Sequence, residues 1–201
     1  MAAFCTVGDL ASFLQVTIPA GSAAATRAIT EASAAIQDYC HQVLEAVDDD
    51  EVAFDVEGRG RKLFLPELPV TAVDEVVEHE VTLSAGSDYQ LGNHGMLHRI
   101  GAFWASGVQA VTVTYSHGYA TLPEMVVAVC TRAAARAYQA GLRSAEAGGV
   151  AGVQALGLGD YSVTYGSEGA AGGGGSLGAS AAPLLLPSEK RALERYRVVG
   201  A

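Results

Sequence analysis

The spacing of apolar residues changes twice along this chain, and the two changes bound what it can fold into. From Ser22 to Val47, the residues Ile29, Ala32, Ile36, Cys40, Val43 and Val47 recur every three or four positions. That is the period of one buried helix face. From Asp48 the period drops to two. Val52, Phe54 and Val56 alternate with acids, and later Val111, Val113 and Tyr115 alternate with Thr112 and Thr114. Alternation of this kind marks half-buried strands. After Thr121 the helical period returns through Val126, Val129, Cys130, Ala133 and Ala137. The order predicts an α+β fold. An antiparallel helical core, with long helices at about 22–47 and 122–145, carries a β-rich insertion at about 50–118.

Local signals refine this frame. Thr6 followed by Asp9 is a capping box ahead of Leu10, Phe13 and Leu14, so a short helix opens the chain. Residues 51–66 predict a hairpin turned at "GRG", and "DYQLGNHGMLHRI" predicts two short strands around Asn93-His94-Gly95. Thr121 is the expected N-cap of the second long helix, with Pro123 in its first turn and Glu124 completing a capping box. Thirteen of the 24 glycines fall in residues 141–178. The expected division is therefore a core at 1–145 and an extended Gly-rich arm at 146–201. The arm holds a short strand at 160–166 and a terminal helix at 188–198.

Charge excludes some functions. The net charge is −10, and residues 31–89 alone hold fifteen Asp and Glu against three Lys and Arg. An acidic surface does not suit a nucleic-acid binder held by phosphate contacts. Cys5, Cys40 and Cys130 are widely separated and lack a CxxC spacing, which reads as reduced, buried thiols. The longest interior stretch free of charged side chains, Gly101–Pro123, alternates like strands and holds three glycines. It is not a membrane span.

The chemistry-bearing residues give no catalytic reading. "GGGGSLGAS" has no lysine and no helix opening behind it, so it is a linker and not a phosphate loop. His94 and His98 flank Gly95 in a predicted strand–turn–strand without a completing Cys or acid, and no metal set is expected. "DDDE" at 48–51 lacks the spacing of a calcium loop and reads as a solvated turn. His41 and His117 are isolated, and a polar face and a turn explain them. No Cys–His arrangement stands out. No catalytic residue and no cofactor is expected.

Two charged ridges and the tail are more informative. Glu31, Asp38 and Glu45 step by seven on one helix, and Arg132, Arg136 and Arg143 step by four and seven on the other. Such charges are either solvated or paired within the chain, or they meet head to tail across a ring of identical subunits. Tyr161, Val163 and Tyr165 alternate in a strand that sits on an edge or adds to a neighbouring chain. Beyond the glycines come Leu184, Leu185, Leu186, a cap at Ser188, and Arg191, Arg195 and Tyr196. A helix this short folds only by docking, on another chain or back on its own.

Two segments carry a family resemblance. "LPELPVTAV" resembles an L-P-x-x-P-V segment, and "VTVTYSHGYATLPEMVVAVC" a V-x-Y-x-x-G-Y-x-x-x-P segment before a helix. In the order of elements over about residues 5–145, the chain resembles the head-to-tail adaptor (connector) proteins of long-tailed phages. The resemblance implies a non-enzymatic virion protein of the neck, present in the host cytoplasm during assembly. It implies a ring, commonly of about twelve copies, seated beneath the portal protein and receiving the stopper. Genomic DNA passes through its lumen without sequence-specific binding, and no membrane is involved. Adaptors engage the portal through C-terminal segments, which here implies Leu184–Leu186, Ser188, Arg191, Arg195 and Tyr196. The alternatives are another neck or tail component, a stopper or a tail terminator, or a small acidic enzyme, which a hydrolase screen separates.

Overall fold

The computed structural model describes residues 3–146, 155–158, 161–164 and 184–198. Helix α1 (Val7–Leu14) is capped as the sequence predicts. The Thr6 hydroxyl accepts from the Asp9 amide at 3.1 Å, and the Thr6 amide donates to the Asp9 carboxylate at 2.8 Å. Helix α2 (Ala23–Cys40) starts at the Ser22 cap and buries Ile29, Ala32, Ile36 and Cys40. It stops seven residues short of the expected end. His41 takes a left-handed conformation (φ 55°) and its amide caps the Gln37 carbonyl. Val43 and Val47 keep the helical spacing only by coincidence, and Leu44 supplies the buried side chain beyond the turn.

Helix α3 (Glu124–Glu146) buries Val126, Val129, Cys130 and Ala133 against α2. Its start corrects the sequence reading. The Pro123 carbonyl, not Thr121, accepts the first helical amides, because the residue before a proline is held extended.

Between α2 and α3 lie seven strands in two sheets. Strands β1 (Val47–Val56), β7 (Gly107–His117), β3 (Val70–Glu78) and β4 (Val81–Thr82) form one antiparallel sheet in that order. Strands β2 (Lys62–Phe64), β6 (Met96–Arg99) and β5 (Tyr89–Leu91) form the other. Asn93–Gly95 turns β5 into β6 as expected. The hairpin over 51–66 is not formed. β1 pairs with β7 and β2 with β6, so the turn at "GRG" leads from one sheet into the other. "DDDE" is also not a turn. It lies within β1, where Asp49 (φ 55°) sits in the irregular register between Val47 and Asp50. Leu63, Tyr89 and Leu97 of one sheet and Val76, Val111, Val113 and Tyr115 of the other form a single buried cluster. Within this lobe Arg99 is buried and pairs with Glu78 at 3.1 Å.

The helical core is a separate cluster, and it holds a correction for the tail. Leu185, Leu193 and Tyr196 are buried in it beside Phe4, Leu10 and Ile36. Helix α4 (Pro187–Leu193) and the single turn after it pack on α2 and α3 of the same chain. Ser188 is not the cap. Leu186 holds that position, Pro187 starts the helix, and Glu189 accepts from the Leu186 amide at 2.9 Å. Strand β8 (Ala155–Leu158) pairs with β9 (Tyr161–Thr164). The proposed tether lies outside the described residues.

Candidate functional site

The expected acidic ridge is shorter than its spacing suggests. Glu31 and Asp38 are exposed on α2, where Glu31 pairs with Arg27 at 2.7 Å. Glu45 leaves the ridge, since α2 has already ended. It pairs with Tyr119 as an isolated bridge next to Gly118. Gly118 has φ 89°, and a β-carbon there would overlap the Glu45 carbonyl.

The basic ridge divides in the same way. Arg132 and Arg143 are exposed on α3, each donating to a carbonyl four residues back. Arg136 is engaged within the chain. It donates to Glu189 Oε1 at 2.8 Å and Oε2 at 2.5 Å, and to the Leu184 carbonyl at 2.9 Å. Glu189 is 4% exposed. A buried carboxylate needs such a partner.

The terminal segment therefore has two faces. Leu185 and Tyr196 point inward, while Leu186, Ser188, Arg191 and Arg195 are exposed and Leu184 is half-buried. Arg195 stands over the Tyr196 ring at 4.9 Å, and the two line a shallow cleft with Glu124, Met125, Ala128 and Arg132 of α3. A residue of each predicted set, Arg132 and Arg195, thus meets on one surface. Nearby, the Tyr39 hydroxyl donates to Glu194 at 2.6 Å. That bond holds the Glu194 carboxyl below the usual carboxylate range and raises the Tyr39 phenol. Burial pushes the neighbouring Cys40 thiol up to about 11. The strand with Tyr161 and Val163 pairs inside the chain, and Tyr165 lies outside the described residues.

Sequence reasoning missed the joint between the lobes. Gln42 is buried there. Its side chain accepts from the Leu68 amide at 2.8 Å and donates to the Tyr196 carbonyl. The loop Leu65–Pro69 is thereby tied to the helical core. His117 is not in a turn. It is buried at the end of β7, with Nε2 2.9 Å from Glu67 Oε2 and 3.4 Å from Asp50 Oδ2. The signal was present: His117 continues the two-residue period of Val111, Val113 and Tyr115. Its partners, on another strand and a loop, leave no local mark.

A sequence-family profile described as "HCP: Head completion protein" matches residues 3–132. The match runs from the start of α1 into α3 and does not include the terminal segment. No curated protein matches the chain. Among solved structures, the chain is similar to one described as the neck of a native gene transfer agent (GTA) particle computed with C12 symmetry. The identity is 18%, over 97% of this chain and 89% of that one, with a TM-score of 0.55. A second, the neck of an empty GTA particle computed with C6 symmetry, is 16% identical over 96% of this chain and 90% of that one, with a TM-score of 0.51. At these identities the likeness is one of fold.

Proposed function

The chain belongs to the head completion protein family, and from that premise we propose that it is a head-to-tail adaptor. It is a structural component of the phage neck and not an enzyme. In this reading identical subunits, twelve as in the C12 neck it resembles in fold, form a ring beneath the portal. The ring extends the DNA channel and passes it to the next neck protein. The observation that carries the reading is the family match over residues 3–132, on a fold shared with a neck of twelvefold symmetry.

The described surfaces support a division of labour. The core at 1–145 would build the ring, with exposed Glu31 and Asp38 of one copy facing Arg132 and Arg143 of the next. Opposite faces of one chain meeting in this way make a heterologous, closing interface. The arm at 146–201 would reach the portal through its exposed residues Leu186, Ser188, Arg191 and Arg195 and the half-buried Leu184. Leu185 and Tyr196 would hold that surface rigid from beneath. The edge of β9 away from β8 is the edge a neighbouring strand would join. An acidic lumen would repel phosphates and let DNA slide. Among the described residues no helix is long and apolar enough to cross a membrane.

Co-sedimentation with the intact portal ring of the same phage tests the reading. The full chain is expected to bind, and the variant R191E/R195E to bind at least about tenfold more weakly. Binding by neither, with binding instead to the tail end, would favour a stopper or tail terminator.

A further inference from the structure

The joint between the lobes holds a cluster of side chains able to ligate a metal. We infer that Asp50, Glu67 and His117 form a binding site for a divalent first-row metal ion, best matched by zinc, that pins the two lobes together. This inference does not rest on the adaptor reading.

The geometry comes first. One ligand atom from each of the three residues lies within 4.8 Å of the others. The two measured separations from His117 Nε2, 2.9 and 3.4 Å, bracket the distance of about 3.3 Å between ligand atoms in a tetrahedral zinc site. A neutral imidazole with two carboxylates is a zinc donor set. Calcium would call for about six to eight oxygens. The Asp50 and Glu67 side chains are 38% and 22% exposed, so the ion has a route from solvent and room for water as a further ligand.

Charge points the same way. Among the described residues, no Lys or Arg pairs with Asp50 or Glu67, and their one partner in the ion-pair geometry is His117. Two carboxylates sharing one site repel each other unless a cation lies between them. The Tyr115 hydroxyl is an independent mark. It is fully buried and, among the described residues, has no hydrogen-bond partner. A buried, unpartnered hydroxyl two residues from His117 is a polar group left over in the surroundings of the site.

Position gives the ion a purpose. Asp50 lies on β1, His117 ends β7, and Glu67 sits in the loop that Gln42 ties to the helical core. The next residue after His117, Gly118, donates to the Pro69 carbonyl of that same loop at 2.9 Å. An ion here joins three segments that only tertiary structure brings together.

The test is calorimetric titration of the chelator-treated full chain with zinc chloride, with metal content measured on protein purified without chelator. One zinc per chain is expected, with a higher melting temperature on binding. D50N/E67Q conserves shape at partly exposed positions. It is expected to remain folded and to weaken zinc by more than about a hundredfold. H117Q is the second variant, with the same expected loss. Absence of zinc binding by the native chain would overturn the inference, leaving a histidine bridged to two carboxylates. Unchanged binding by D50N/E67Q would overturn it equally, because the ion would then sit elsewhere.

Discussion

Arg136 of α3 grips Glu189 of α4 through both terminal guanidinium nitrogens, 53 residues apart in the chain. Glu189 in turn accepts the first free amide of its own helix, that of Leu186. One buried carboxylate thus caps α4 and anchors it. Arg136→Ala strands that carboxylate. The expected loss is about 2–3 kcal/mol, below the range for a fully buried pair because Arg136 is partly exposed. Glu189→Gln keeps the shape and is expected to cost about 1–2 kcal/mol. Urea unfolding measures both. Hydrogen exchange over 184–198 should accelerate in each variant while the β lobe keeps its protection.

Gly118 separates conformational need from mere presence of glycine. Gly118→Ala combines a left-handed backbone with overlap of the Glu45 carbonyl. Strain of about 1–3 kcal/mol is expected, and the bridge from Glu45 to Tyr119 must shift. Gly21→Ala meets nothing within 4 Å, and its expected effect is within about 0.5 kcal/mol. Thermal melts of the two variants side by side decide the point.

The α1 cap makes a pH prediction. The Thr6 hydroxyl, and then the Thr6 amide, donate to Asp9 and hold its carboxyl below the usual range. A carboxyl depressed on folding stabilises above its unfolded value of about 4. It loses that contribution as pH falls through the lower, folded value. Asp9→Asn is therefore expected to cost about 1 kcal/mol at pH 7. The gap from the native chain should close as the pH falls below 4 in paired denaturant titrations.

All three cysteines are free and buried, and Cys5 and Cys130 lie 3.5 Å apart. The Cys5 sulfur against it, and then burial, keep the Cys130 thiol protonated. A thiol reagent at pH 8 is expected to label none of them in the native chain within minutes, and all three in urea. Rapid native labelling of any one would show that the helical core opens.

The subunit interface can be tested by exchanging charge. E31K/D38K alone and R132E/R143E alone are each expected to weaken ring formation, read by mass photometry. Combining the four changes should restore it, since complementarity and not the sign of either face sets pairing.

What the sequence disclosed was local. The Thr6–Asp9 box, the α2 stripe and the alternation of β7 are written in neighbouring residues, and the structure has them. The end of α2 was illegible because His41 adopts a left-handed turn without a glycine to announce it. The partner of β1 was illegible because a turn shows that the chain reverses, not which strand it will pair with. Glu189 carries no local mark beyond its place in the first turn of a short helix. Its importance lies in Arg136, and only packing of the tail brings the two together. His117 was misread for the same reason, with partners on β1 and on the loop before β3.

The two cores also differ in when they can be completed during synthesis. Every buried member of the β-lobe cluster lies between Leu63 and Tyr115, whereas the helical cluster runs from Phe4 to Tyr196. The β lobe has its whole interior once β7 has emerged from the ribosome. The helices must wait with one side open until Leu193 and Tyr196 follow. Nascent chains therefore pass through a stage with a finished β lobe and an exposed apolar helix face, the kind of surface that chaperones bind.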